Sequence, residues 1–166
     1  MRTYQDQFAY RQAFHDLVRI EQFADPFAVT LTLRQGLNGS GGMQGQFKRI
    51  ERYDAEQNFR HFTNLLNRQV YGHAAERYGK RVQVVPVLEG GTSTRYHYHA
   101  IIDCPRPELH FEFPAMIRSC WLRTPWGYDQ IDIQSSCDEG WTNYISKFRS
   151  KVEYDMSFDW TNCHLD

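Results

Sequence analysis

The stretch Arg95-Tyr96-His97-Tyr98-His99-Ala100-Ile101-Ile102-Asp103 decides how the rest of the chain is read. Its aromatic and β-branched content predicts a strand. Side chains alternate across a strand, so Arg95, His97, His99, Ile101 and Asp103 share one face, and Tyr96, Tyr98, Ala100 and Ile102 the other. Two imidazoles at i and i+2 on one face can bind a single metal ion, although the pair alone equally fits histidines that pack or hydrogen-bond. Upstream, Arg81 to Glu89 reads as another strand, in which Pro86 marks an edge position or a bulge. Gly90 and Gly91 turn the chain, which folds Glu89 back towards His97. A carboxylate there completes a His-His-Glu donor set with open positions, suited to Mn²⁺ or Mg²⁺; the other reading of Glu89 is a solvated strand-end charge.

The flanking segments supply the remaining layers. Phe27 to Leu33 alternates as a strand, with Thr30, Thr32 and Arg34 opposite Val29, Leu31 and Leu33. Gln35 to Gln46 holds Gly36, Gly39, Gly41, Gly42 and Gly45 and is expected to be a mobile loop. Glu51 to Tyr78 places Phe59, Phe62, Leu65, Leu66 and Val70 at helical spacing, with Gly79 as the stop. A short amphipathic helix is expected within residues 1–24. Pro105 and Pro107 break the histidine strand, Pro114 to Leu122 is helical, Gln130 to Gln134 is a short strand, and Asp138 caps a helix running to Lys151. The tail after Tyr154 suggests no element. The order β-α-β-β-α-β-α predicts an α+β fold of the ferredoxin-like split βαβ kind, with a central antiparallel sheet. The histidines belong on an inner strand, and helix 51–78 on the sheet face opposite them.

Composition bounds the rest. The 166 residues are 41% apolar and 15% aromatic, enough for one compact domain over 1–166 with its core at 27–151. No apolar run approaches the roughly 18 residues of a membrane span, and Met1 to Tyr10 lacks a signal-peptide pattern, so a cytoplasmic protein is expected. Cys104, Cys120, Cys137 and Cys163 lie too far apart for a structural zinc site and read as reduced thiols, Cys104 and Cys120 in the core. A net charge of −1 gives no global attraction to nucleic acid. Two local clusters, Lys48, Arg49 and Arg52, and Lys147, Arg149 and Lys151, fit solvated faces or anion contacts.

The last helix carries a second chemical feature. Trp141, Ile145, Phe148 and Val152 form its apolar stripe, and Tyr144, Lys147 and Lys151 share one flank at about 100° per residue. A tyrosine there fits simple packing. A lysine one turn later adds a cation that can favour a phenolate or stabilise charge on a phosphate.

Arg95 to His99 resembles the histidine-hydrophobic-histidine motif of the HUH endonucleases, and Tyr144-Ile145-Ser146-Lys147 resembles the YxxK motif of their rolling-circle replication initiators, the Rep proteins. Phe27 to Leu33 is similar to the first Rep motif, a strand rich in Thr and Leu. The three occur in Rep order across residues 27–151, whereas in conjugative relaxases the tyrosine precedes the histidines. The resemblance implies the HUH endonuclease fold and a one-tyrosine nickase. His97, His99 and Glu89 would hold the metal against the scissile phosphate, and Tyr144, helped by Lys147, would attack it. A 5′-phosphotyrosine link that can later be rejoined would result, initiating rolling-circle replication of a plasmid or phage. Thr30, Thr32, Arg34, Arg95, Lys48, Arg49 and Lys151 would contact single-stranded DNA or an origin hairpin. No Walker A pattern is present, so this chain is expected to carry no helicase and to depend on a host helicase and polymerase in a bacterial cytoplasm. Three alternatives stay open. A one-tyrosine HUH transposase usually has glutamine four residues after the tyrosine, where this chain has Phe148. A non-catalytic single-strand binding module would not need Lys147. A hydrolase using activated water would release a free 5′ phosphate.

Overall fold

The computed structural model describes residues 4–39, 46–91, 93–135, 138–145 and 158–166. Four strands form the central sheet: β1 (Pro26–Leu33), β4 (Val84–Glu89), β5 (His97–Asp103) and β6 (Gly127–Gln134). Their spatial order is β4-β5-β1-β6, with every neighbouring pair antiparallel. Strands β1 and β4 therefore run parallel, joined through helix α2 (Arg52–Tyr71), with β5 inserted between them. Helix α4 (Phe113–Leu122) joins β5 to β6 in the same way around β1. This is the expected split βαβ arrangement, and the histidine strand is interior.

Alternation along each strand divides the buried side chains into two cores. Phe27, Val29, Leu31 and Leu33 of β1 and Tyr98, Ala100 and Ile102 of β5 pack beneath α2 and α4. Aromatic rings fill that layer: Phe59 lies 4.3 Å from Tyr98 between ring centroids, and Phe62 meets Trp121 edge-on at 5.4 Å. Truncating a ring such as Phe59 to alanine costs about 3–5 kcal/mol, because the surrounding layer cannot collapse into the space. The opposite face of the sheet, with Ala28, Val85, Val87 and Ile101, meets Phe14 and Val18, Phe158 and Trp141. Phe14 belongs to α1 (Tyr4–Leu17), whereas Trp141 belongs to α5 (Glu139–Ile145). Helix α2 thus covers the face opposite the histidines, as the pattern predicts.

Several boundaries differ from expectation. The helix read through 51–78 is interrupted at Gly72, whose φ of 57° and ψ of −136° leave the helical region. The Gly72 N–H closes on the Arg68 carbonyl at 2.8 Å, and a separate short helix, α3 (His73–Tyr78), follows and ends at Gly79 in the left-handed conformation. The glycine-rich loop is not wholly irregular either. Its ends pair as a small hairpin, β2 (Gly36–Asn38) with β3 (Phe47–Arg49). Helix α5 is described to Ile145, and the remainder of the segment expected to be helical to Lys151 lies outside the described residues.

The tail, for which the sequence suggests no element, covers the outer edge of β4. Val84 exchanges backbone hydrogen bonds with His164 at 2.8 and 2.9 Å, and the Pro86 carbonyl accepts from Asp159 N–H at 3.1 Å. Pro86 has no N–H to offer a neighbouring strand, so the edge can be covered only by isolated bridges such as Val84 with His164 and Val87 with Phe158. Asp159, 2% exposed, anchors this segment: its carboxylate accepts from Tyr98 Oη at 2.8 Å and from Asn162 Nδ2 at 2.6 Å. Burial first, and then the Asp159 charge, push the Tyr98 hydroxyl well above the usual tyrosine range.

Candidate active site

Strand register brings three metal-ligating side chains together. Across β4 and β5, Glu89 is paired with His97; across β1 and β5, Thr30 is paired with His99 and Thr32 with His97. Glu89 Oε2 stands 3.5 Å from His97 Nε2 and 3.6 Å from His99 Nε2. The potential ligand atoms of the three residues all lie within 4.8 Å of one another. Donors bound to one ion at about 2.1 Å stand roughly 3.0–3.5 Å apart, so these side chains need shift only by tenths of an ångström to close on a cation. One carboxylate and two imidazoles from a single side leave coordination positions open for a ligand.

The turn before β5 makes this convergence possible. Gly90 has a φ of 112°, and a Cβ built there would lie 2.7 Å from the Arg95 carbonyl oxygen and from Tyr96 Cα. Only glycine permits that approach, and it seats Glu89 directly across from His97.

Hydrogen bonds orient both rings. His97 Nδ1 lies 2.8 Å from the Arg95 carbonyl oxygen, which can only accept. The proton of a neutral His97 is therefore assigned to Nδ1, leaving the Nε2 lone pair facing Glu89. His99 Nδ1 lies 3.1 Å from Thr30 Oγ1, which can accept a hydrogen bond in the same manner. His99 is 5% exposed, and the edge of the Trp141 indole packs against it with centroids 5.5 Å apart and planes at 82°. The site is thus partly dehydrated and its ligands are held before any ion arrives.

Trp141 also fixes where the tyrosine helix lies. Its N–H is capped by Asp138 Oδ1 at 3.0 Å, and Asn143 Oδ1 accepts from Arg11 Nη2 at 3.1 Å, tying α5 to α1. Tyr144 is in α5, three residues after the ring that touches His99. Lys147 and Lys151 lie outside the described residues.

The remaining candidates are distributed around this centre. Thr30 carries the hydroxyl that meets His99, and Thr32 is buried at 7% exposure. Arg34 is exposed, its Nε donating to the Gly127 carbonyl at 3.1 Å. Arg95 places its guanidinium 4.6 Å from the Tyr128 ring centroid, next to the histidine strand. Lys48 and Arg49 are on β3, and Lys48 is bound to Asp54 at 2.6 Å, which holds its ammonium above the usual lysine range. The role of Thr30 towards His99 is the contact that sequence reading misses. Its only signal is the cross-strand register, which a one-dimensional pattern does not contain.

The family model for replication-associated proteins of the ORF2 type matches residues 26–153, from the start of β1 to beyond the described end of α5. No curated protein and no solved structure gives a significant match. The chain belongs to this replication-associated protein family.

Proposed function

We propose that this protein nicks and rejoins single-stranded DNA through a covalent tyrosine intermediate, initiating rolling-circle replication of a plasmid or phage. The observation that carries this reading is the convergence of Glu89, His97 and His99 on one face of the sheet, under the helix that contains Tyr144.

The donor set fits a divalent cation of the Mn²⁺ or Mg²⁺ class, which supplies Lewis-acid polarisation of a scissile phosphate when bound. Glu89, His97 and His99 hold that charge at one place, and Thr30 and the Arg95 carbonyl keep the imidazoles from rotating. Tyr144 supplies the nucleophile. Its phenolic oxygen forms a bond to phosphorus as the bond from phosphorus to the 3′ oxygen breaks. That oxygen takes up a proton, leaving a free 3′ hydroxyl and a 5′-phosphotyrosine. An unperturbed tyrosine is mostly protonated at neutral pH, with a pKa of about 10, so Lys147 assists by favouring the phenolate. The reverse attack by a 3′ hydroxyl rejoins a strand. Thr32, Arg34, Arg49, Arg95 and Lys151 are further contacts for the DNA, and a host helicase and polymerase complete replication.

The test is incubation of the protein with labelled single-stranded oligonucleotides and Mn²⁺, followed by denaturing electrophoresis. An SDS-resistant adduct lost in EDTA, and lost on His97→Ala or His99→Ala, is the expected result. Retardation without an adduct would make the protein a binding module, and a free 5′ phosphate would make it a hydrolase.

A further inference from the structure

A second polar cleft of about 350 Å³ lies away from the metal-ligand cluster, between the middle of α2, the start of β4 and the C-terminal segment. Arg60, Asn64, Asn67, Arg81, Thr161 and His164 line it, and no aspartate or glutamate does. The two guanidiniums form no ion pair among the described residues. Asn67 commits its Oδ1 to Val82 N–H at 2.8 Å, so the group it can offer the cleft is its NH₂. His164 faces Asp166 at 3.3 Å, so that pair adds no net charge when the histidine is protonated and the arginines set the sign. The surrounding sequence reinforces it: from Gln57 to Ala75 there is no acidic residue, and none from Arg81 to Leu88. A small cleft of hydrogen-bond donors with two unneutralised guanidiniums suits a phosphate group, which guanidinium recognises through paired N–H donors.

We propose that this cleft binds the phosphodiester backbone of the same DNA, at a point remote from the cleavage site. The assignment rests on the reading of the protein as a DNA-processing enzyme. Val84 at the cleft and Glu89 at the metal cluster stand five residues apart on one strand, about 17 Å. A strand or hairpin arm engaged at Glu89, His97 and His99 therefore reaches the cleft only if it extends past the cleavage site. The cleft anchors that flank and adds affinity without contacting the reacting phosphate.

The test compares the wild-type chain, the Arg60→Ala/Arg81→Ala variant and the Arg60→Lys/Arg81→Lys variant. Binding of a short and a long oligonucleotide is followed by fluorescence anisotropy in EDTA across a salt series. Both arginines are exposed, so the variants are expected to fold, and circular dichroism verifies this. For the long oligonucleotide, the alanine variant should bind about tenfold more weakly, with a salt slope smaller by about 1.5, as two lost phosphate contacts imply. The short oligonucleotide should bind all three proteins alike, and the lysine variant should retain most of the long-strand affinity. Unchanged long-strand affinity and slope would overturn the proposal, as would equal losses for both lengths. Inorganic phosphate provides the other arm: if it stabilises the wild type but not the alanine variant while DNA binding is unchanged, the cleft takes a free phosphate compound and the DNA assignment is wrong. A length-dependent effect in a protein that forms no covalent adduct would retain the cleft and refute the nicking reading instead.

Discussion

His99 Nδ1 lies 3.1 Å from Thr30 Oγ1, and the two residues are direct partners across β1 and β5. A hydroxyl on the neighbouring strand thereby fixes the ring whose Nε2 faces Glu89. Thr30→Val keeps the shape and the strand preference but removes the acceptor. Metal affinity, followed by titration calorimetry with Mn²⁺, is expected to fall about 10- to 100-fold, with Thr30→Ser close to wild type. Equal affinity for Thr30→Val and wild type would show that the ring needs no such support.

The turn at Gly90 is equally specific in what it controls. Gly90→Ala places a methyl against the Arg95 carbonyl and imposes an unfavourable φ. The expected cost is about 1–3 kcal/mol in stability, measured by urea unfolding, with a loss of metal affinity as Glu89 moves from His97. If affinity survives while stability falls, Glu89 is not a ligand.

Much of this centre is legible in the sequence because its logic is local. Alternation alone puts His97 and His99 on one face, and a tight glycine turn returns Glu89 to them. Apolar spacing likewise identifies Phe59, Phe62 and Leu66 as the buried face of a helix. What escapes is either non-local or carried by single residues. Thr30 becomes a partner of His99 only once β1 is registered against β5. Gly72 interrupts a helix whose apolar period continues to Val70, so the pattern conceals the break. Residues 158–166 contribute isolated bridges with no periodicity to detect, yet they bury Asp159 and cover the edge strand.

That tail makes stability sensitive to alkali. Burial, and then the Asp159 charge, make folded Tyr98 hold its proton more tightly than an ordinary tyrosine, whose value is 10.0. Burial pushes Cys163 from 9.0 up to about 11. Raised values mean that the folded state binds more protons than the unfolded state in this range. The contribution of Cys163 is intact below pH 9.0 and lost towards about 11, and that of Tyr98 is lost above 10.0. Thermal melts should therefore show Tm falling steeply above pH 9.0. Tyr98→Phe should lose about 1.5–3 kcal/mol at neutral pH, the worth of a hydrogen bond to a charged group, and should fall less steeply above pH 10.0. An unchanged alkaline profile in Tyr98→Phe would remove this phenol as a cause.

The most direct measurement is mass spectrometry of the peptide that carries the 5′ end of cleaved single-stranded DNA, made on wild type and on Tyr144→Phe with Mn²⁺ present. The expected result is a wild-type adduct on Tyr144 and none in Tyr144→Phe, which should bind DNA and melt as the wild type does. An adduct on Tyr128 or Tyr154, or one that persists in Tyr144→Phe, would contradict the assignment of Tyr144 as the nucleophile that works with Glu89, His97 and His99.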